Sequence, residues 1–212
     1  MISQGDFKII DISPEISPEI AVYPGDTKFS RNLALDMNNG EHLTLSDMTT
    51  TLHVGAHTDA PNHYAARGEG IGSRDLNFYL GLCQVIEVNL KPRASIDVKD
   101  IEGVAITAPR VLFKTSSFQN PNEWYADFNS LSAELVEYLA SKKVVLVGID
   151  TPSIDPDDSK ELSAHKAVFK NNLAILEGVV LDRVEPGLYY LIALPLKIKD
   201  ADASPVRAVL LS

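Results

Sequence analysis

Three of the chain's five histidines fall within one short stretch, "TTTLHVGAHTDAPNHY", at residues 49–64. They are His53, His57 and His63, and Asp59 lies among them. Imidazole nitrogens and carboxylate oxygens are ligands that proteins offer to Zn²⁺ and similar divalent cations. The residue types gathered here therefore predict a metal site, while the competing interpretation is a set of unrelated polar side chains.

The spacing of these residues favours an extended strand over a helix. Gly55, Pro61 and three consecutive threonines all weaken a helix, which would also displace Asp59 from the histidines. In a strand, His53, His57 and Asp59 would project to one side, and the alternating apolar residues would pack on a core. Gly55 would leave a gap on the polar side. Two imidazoles and a carboxylate on one face need a common partner, and a divalent cation is the simplest one.

His63 follows Pro61, so the chain has turned before it and His63 need not bind the same ion. A histidine held beside a metal, but not bound to it, is well placed to transfer a proton because its pKa lies near neutrality. The competing interpretation is an exposed loop histidine, and the residues alone do not separate the two.

Two residues from distant parts of the sequence are candidates for further ligands. Glu177 lies in the apolar run "NLAILEGVVL", where an unpaired buried charge is costly, so its carboxylate should be paired or coordinated. The alternative for Glu177 is a strand edge that faces water. His165 lies in a short predicted helix, where surface exposure is the alternative. Ligands for two ions would then be present, and a carboxylate that bridges two ions helps to activate water for hydrolysis.

Strand-like runs outnumber helical ones along the chain. The clearest helix covers 130–143, where apolar residues mark one face, and a shorter helix is predicted at 163–171. These features predict a mixed α/β fold rich in β, and 212 residues suit a single domain over 1–212. Five runs enriched in β-branched and aromatic residues are predicted strands: 83–90, 110–115, 143–149, 175–181 and 188–198.

The overall composition argues against several functional classes. A net charge of −10 and an isoelectric point near 4.9 disfavour binding to nucleic acid or to an anionic membrane. No apolar run approaches the roughly 18 residues that a membrane-spanning helix requires, and the first residues do not resemble a secretory signal. The single cysteine, Cys83, suits a reducing compartment. We therefore expect a cytoplasmic protein.

The histidine-rich segment also has a family resemblance. "HVGAHTDAPNH" resembles the H-x-G-T-H-x-D-x-P-x-H signature of the cyclase-like metal-dependent hydrolases, with Ala56 in place of the threonine. The similarity continues through "GIDTPSIDPDDSKELSAHKAV" and "LAILEGVVLD" to the C-terminal "LIALPLKIKDADASPVRAVLL". Within that family, the chain is similar to the bacterial kynurenine formamidases (arylformamidases), and the similarity runs nearly end to end.

The resemblance implies a swivelling β/β/α-type fold, assembled as a homodimer or larger homo-oligomer. It implies that His53 and His57 bind one zinc ion and that Asp59 bridges this ion to a second one. His165 would complete the second ion, and Glu177 would contact both. Mn²⁺ is the alternative metal, because nitrogen and oxygen ligands do not separate the two cations decisively.

By the same resemblance, His63 is the proton donor and acceptor, and Tyr23 contacts the substrate at a position where these formamidases typically carry tryptophan. The alternative role for Tyr23 is that of an aromatic residue flanking a turn. The implied reaction is hydrolysis of N-formyl-L-kynurenine to L-kynurenine and formate, a step of tryptophan degradation. The alternatives are hydrolysis of another amide or of a lactam such as isatin, and a metal-binding homologue without activity.

Overall fold

Residues 8–212 are described by a computed structural model of the chain. Regular structure in this part of the chain consists mainly of short strands, with three α-helices and four 3-10 turns. None of these helices is long and apolar enough to cross a membrane. The strands are β1 (Ile9–Asp11), β2 (Ser30–Leu35), β3 (Leu45–Thr49), β4 (His57–Asp59), β5 (Leu80–Glu87), β6 (Ser95–Ile96), β7 (Arg110–Lys114), β8 (Ser130–Leu131), β9 (Leu146–Ile149), β10 (Ala174–Leu176), β11 (Gly187–Ile192), β12 (Ala203–Pro205) and β13 (Val209–Leu211). The α-helices are α1 (Pro61–Tyr64), α2 (Ala133–Ser141) and α3 (Ser163–Lys170), and the 3-10 turns are Met37–Asn39, Ile71–Ser73, Leu76–Phe78 and Val98–Ile101.

Seven strands form the central sheet, in the order β1-β13-β11-β5-β7-β9-β10. Strands β5, β7, β9 and β10 are parallel to one another, while β11, β13 and β1 continue the sheet in antiparallel pairs. Helix α2 precedes β9 and helix α3 precedes β10, as expected for connections between parallel strands. The architecture is therefore mixed α/β and dominated by sheet, which confirms the fold class predicted from the sequence.

Both faces of the central sheet are covered. In β7, Val111 and Phe113 point to the side of α2 and α3, where they share a core with Leu135 of α2. Leu112, between them, belongs to a second core on the opposite face, together with Leu191 of β11. All five side chains are fully buried. Coverage of both faces is typical of the parallel part of an α/β sheet.

The predicted helices are present, with shifts at their ends. The helix expected at 163–171 is α3, and the helix expected at 130–143 is α2. Helix α2 begins only at Ala133 because the Ser132 side chain caps it, accepting a hydrogen bond from a backbone amide of the first turn. Ser130–Leu131, which were predicted to be helical, instead form strand β8. The five predicted strands correspond to β5, β7, β9, β10 and β11, most of them shorter than predicted.

The strand expected over 53–59 is wrong in its first half. Only His57–Asp59 form a strand, β4, which pairs with β12. The chain bends over 52–56, where Gly55 has a φ of +59°, in the left-handed region that favours glycine. A bend, and not the simple alternation of side chains along a strand, therefore determines where His53 lies.

Candidate metal centre

The predicted site residues meet at the carboxyl ends of β9 and β10. Glu177 directly follows β10, and the loop after β9 contributes Asp155. His165 lies in the first turn of α3. Strand β4, which carries His57 and Asp59, packs beside β10. The carboxyl ends of parallel strands are where open α/β sheets commonly bind ligands, so the fold itself favours a site at this edge.

A pair of backbone hydrogen bonds joins β4 to the end of β10. The amide of His57 donates to the carbonyl of Glu177 at 3.0 Å, and the amide of Glu177 donates to the carbonyl of His57 at 2.9 Å. Gly178 permits this approach: it has a φ of +66°, and a Cβ there would lie 2.2 Å from the carbonyl oxygen of Gly55. The absence of a side chain at Gly178 therefore allows the histidine segment to lie next to Glu177.

His53, His57 and Asp59 form the first ligand group. The Nδ1 atom of His53 lies 3.0 Å from Oδ1 of Asp59, and Nε2 of His57 lies 3.5 Å from the same oxygen. One ligand atom from each residue lies within 4.8 Å of the others, which is compatible with a shared cation. His57 and Asp59 are buried, whereas the side chain of His53 is 18% exposed. This group is therefore accessible from the His53 side.

Asp59, His165 and Glu177 form the second ligand group, whose ligand atoms also lie within 4.8 Å of one another. Nε2 of His165 lies 3.4 Å from Oδ2 of Asp59 and 3.7 Å from Oε1 of Glu177. The other glutamate oxygen, Oε2, lies 3.1 Å from Nε2 of His57 in the first group. Asp59 and Glu177 thus each direct one oxygen to the first group and the other oxygen to the second group. Both carboxylates therefore link the two groups.

His57 supports the interpretation of these groups as a metal centre. Its Nδ1 atom lies 3.0 Å from the carbonyl oxygen of Gly55, which accepts a hydrogen bond and thereby assigns the proton to Nδ1. Nε2 then presents its lone pair to the carboxylates of Asp59 and Glu177. Within residues 8–212, this Nε2 has no hydrogen-bond partner, although it is buried. A cation between these atoms would satisfy all of them.

Asp155, which no sequence pattern marked, fixes the orientation of His165. Its Oδ2 atom accepts hydrogen bonds from Nδ1 of His165 at 2.7 Å and from the backbone amide of His165 at 3.0 Å. Its Oδ1 atom accepts from the amide of Ala164 at 3.1 Å. The carboxylate thus caps the start of α3 and directs Nε2 of His165 towards the second ligand group.

Asp202 plays the corresponding part for His53. Its Oδ2 atom lies 3.0 Å from Nε2 of His53 and 3.9 Å from Nδ1 of His63. It immediately precedes β12, the strand that pairs with β4, and its side chain is 49% exposed. These three residues also have metal-binding spacing, but each of them is exposed or half-buried. No signal in "KDADASP" distinguishes Asp202 from a residue of an ordinary turn.

The carboxylates and imidazoles of the centre shift one another's pKa values strongly. Burial opposes ionisation of Asp59, but hydrogen bonds and positive charge from the surrounding histidines hold its pKa well below its usual range. Burial likewise opposes protonation of His53 and His165, yet their acidic neighbours raise the pKa of His53 to about 9 and that of His165 to about 10. The centre therefore favours positive charge, as a site for a divalent cation must.

His63 lies at the rim of the centre, in the short helix α1. Its ring centroid is 4.3 Å from that of His53, and its Nε2 atom is 3.8 Å from Oδ2 of Asp59. The side chain is 36% exposed. Burial lowers the pKa of His63 below its usual value, against the attraction of Asp59. A neutral imidazole at this rim can accept a proton from a molecule in the adjacent cavity.

A cavity of about 290 Å³ opens beside both ligand groups. Tyr23, at 49% exposure, lines it from one loop, and Trp124, which no sequence pattern marked, lines it from another. The structure thus brings all seven predicted site residues around one cavity. Besides Tyr23, they are His53, His57, Asp59, His63, His165 and Glu177.

The comparison with protein families agrees with the fold and the centre. Residues 10–156, which include the whole histidine-rich segment, match the model of the cyclase family, described as "Putative cyclase". The chain belongs to the cyclase family, as its resemblance predicted.

More specific similarities extend over nearly the whole chain. Kynurenine formamidase from Erythrobacter litoralis (strain HTCC2594) is 43% identical over 203 residues, which span 96% of this chain and 93% of that protein. The solved structure of a potential metal-dependent hydrolase with cyclase activity matches with a TM-score of 0.84 and 28% identity, covering 97% of this chain and 98% of that one. An isatin hydrolase bound to the product analogue thioisatinate has the same fold, with a TM-score of 0.80 and 21% identity over 98% of this chain and 93% of that one.

Proposed function

We propose that this protein is a kynurenine formamidase, which hydrolyses N-formyl-L-kynurenine to L-kynurenine and formate during tryptophan degradation. The observation that carries the proposal is the convergence of two ligand groups on the shared carboxylate of Asp59, beside a cavity. The 43% identity to a kynurenine formamidase across nearly the whole chain supports the choice of substrate.

The proposal includes two Zn²⁺ ions. His53, His57 and Asp59 would hold one ion. Asp59, His165 and Glu177 would hold the other. Imidazole and carboxylate ligands without cysteine suit Zn²⁺, and Mn²⁺ is the alternative. When bound, such ions lower the pKa of water and stabilise negative charge that develops on a carbonyl oxygen.

The residues around the ligands then have distinct tasks. Asp155 holds the imidazole of His165, and Asp202 holds that of His53, each through the nitrogen that faces away from the ligand group. Hydrolysis bonds the oxygen of water to the formyl carbon and breaks the C–N bond. His63 would accept a proton from water and return it to the departing aniline nitrogen. Its position at the rim gives it access to both molecules.

The small size of a formyl group suits this cavity, whose lining includes the buried side chains of His57, Asp59, His165 and Glu177. A formyl carbon bears only hydrogen beside its carbonyl oxygen, so it needs less space among these side chains than a larger acyl group. Tyr23, at the exposed end, would contact the aryl part of the substrate.

We also propose a homodimer or larger homo-oligomer. Leu82 of β5 and Tyr190 of β11 are cross-strand partners on the central sheet, and they are 56% and 40% exposed. Leu80 and Leu188, each two residues away on the same strands, extend this apolar stripe. Such a stripe is typical of a surface that another subunit covers. We also propose that the chain is a single domain and that it works in the cytoplasm, where the buried Cys83 would stay reduced.

Formate release from N-formyl-L-kynurenine tests the proposed function. We expect the purified protein to catalyse it, to lose activity when treated with a chelator, and to regain activity when Zn²⁺ or Mn²⁺ is restored. Formanilide, acetanilide and isatin are the comparison substrates. The proposal is wrong if isatin or acetanilide is hydrolysed faster than N-formyl-L-kynurenine, or if removal of metal leaves the rate unchanged.

A further inference from the structure

Trp124 is the only tryptophan of the chain and lies in the loop between β7 and β8. Its half-buried side chain lines the cavity beside the two ligand groups. It also lines a neighbouring cavity bordered by Gly55 and Pro121. The indole therefore stands between two cavities, and its position is not that of an ordinary core residue.

Tyr23 and Trp124 form an aromatic wall of the cavity. The two rings meet edge to face, with centroids 5.4 Å apart and ring planes at 79°. Both residues line the cavity, and Tyr23 is exposed to it. Aromatic rings favour edge-to-face and offset contacts with further rings, so this wall offers a binding surface to an aryl group.

Two phenylalanines pack around Trp124, and one of them, Phe128, also lines the cavity. The centroids of Phe118 and Phe128 each lie 6.1 Å from that of Trp124, with ring planes at 65° and 83°. Phe128 is 2% exposed, so it anchors the indole to the interior. A side chain that its neighbours hold in one orientation can bind a ligand without losing much further freedom.

The charged residues that line the cavity do not match the carboxylate of the substrate. Among residues 8–212, no lysine or arginine lines this cavity, so it offers a substrate carboxylate neither of these cations. Outside the ligand groups, its charged lining residues are Asp26 and Asp157. The described lining therefore offers the aryl ring a matching surface, in Tyr23 and Trp124, and offers the substrate carboxylate no lysine or arginine.

We propose that Trp124, together with Tyr23, binds the aryl ring of an N-aryl formamide and directs the formyl group towards the two ligand groups. This inference rests on the proposed function, because it assigns the aryl ring of that substrate class to the aromatic wall. Loss of one such aromatic contact corresponds to a change of about three- to tenfold in affinity.

Steady-state kinetics of the metal-loaded protein test this role. Trp124→Leu should raise KM for N-formyl-L-kynurenine and formanilide about three- to tenfold, and Trp124→Phe should raise it less. KM for N-formyl-L-alanine, which has no aryl ring, should not change. Tyr125→Leu is the matched control: Tyr125 stacks on Phe118 at 4.5 Å but lines neither cavity, so KM should stay at the parental value.

Calorimetric titration with L-kynurenine gives a readout that does not depend on turnover. Trp124→Leu should weaken binding by the same factor as it raises KM, whereas Tyr125→Leu should not. The inference is overturned if Trp124→Leu affects aryl and alkyl formamides equally, or if its kynurenine affinity matches that of Tyr125→Leu. If the parent protein hydrolyses a different arylamide and not N-formyl-L-kynurenine, the proposed function fails, and KM for that arylamide tests Trp124 in the same way.

Discussion

The two ligand groups share Asp59 but differ in how the fold supports them. The second group is buried throughout, and Asp155 fixes both the ring of His165 and the start of its helix. The first group includes His53, which lies in a bend, is 18% exposed, and is oriented by the half-exposed Asp202. The second group is therefore closed to solvent, whereas the first is open at His53.

This difference indicates that one side of the centre holds metal and the other side admits the substrate. Burial and hydrogen bonds preorganise the second group, which favours tight metal binding. Partial exposure leaves the first group accessible to water and substrate. His63 belongs to neither group and stands beside His53 on the accessible side. We therefore expect substitutions near the ligand groups to change metal binding, and substitution of His63 to change proton transfer without loss of metal.

The largest effect on turnover is expected from His63→Ala. General acid–base catalysis contributes about 10²–10⁴-fold, so kcat should fall by a factor in this range while the metal content stays parental. Formate release and elemental analysis of the same preparation measure both quantities. His42→Ala is the control, because His42 is exposed and does not line the cavity. If His63→Ala turned over at the parental rate, the role of His63 would be wrong.

Some of this centre could be predicted from the sequence because local patterns determine it. The helix that carries His165 was expected at 163–171, and α3 lies within one residue of these limits. A carboxylate in a strongly apolar run predicts a buried group with polar partners. Glu177 is indeed 2% exposed, with His57 3.1 Å away.

Asp155→Asn is expected to have the largest effect on metal binding among the residues that orient the ligands. Loss of an orienting carboxylate typically weakens metal affinity about 10–100-fold, and the second ion should be lost first. Weakening of the helix cap should also lower stability by about 1 kcal/mol. Zinc titration against a competing chelator and thermal unfolding measure the two effects. Asp158→Asn, a 72% exposed neighbour, is the matched control, and equal behaviour of the two variants would refute the assignment.

Asp202→Asn should have a smaller effect, confined to the first ion. Its carboxylate is half-exposed, so water can partly replace its contact with His53. We expect less than about a tenfold loss of affinity, below the effect of Asp155→Asn. The same competition titration measures it. An effect as large as that of Asp155→Asn, or one on both ions alike, would show that the two groups do not differ as described.

The smallest expected effect is a difference in the rates at which the parent protein releases its two ions. An excess of chelator should remove the ion of the first group, which is open at His53, before that of the fully buried second group. Stopped-flow detection of released zinc should therefore show two phases, and Asp202→Asn should accelerate only the faster one. Release of both ions in a single phase would contradict the proposed difference between the two ligand groups.

The remaining features depend on contacts between distant residues, which local patterns do not reveal. The strand predicted over 53–59 fails because Gly55 adopts a positive φ, packed against Gly178 from the other end of the chain. Asp155 caps a helix that begins eight residues later, at Ser163, and not directly after it as most caps do. Trp124 lies in a loop, and contacts between distant residues determine how that loop reaches the cavity.

The central claim is that Asp59 joins two metal ions, and the metal-to-protein ratio tests it most directly. Elemental analysis of the zinc-loaded parent should give two ions per chain, and His53→Ala and His165→Ala should each retain one. Asp59→Ala should retain neither in full, because both ligand groups lose the same carboxylate. A parent chain that binds no divalent metal, or an Asp59→Ala variant that still binds two ions, would contradict the account.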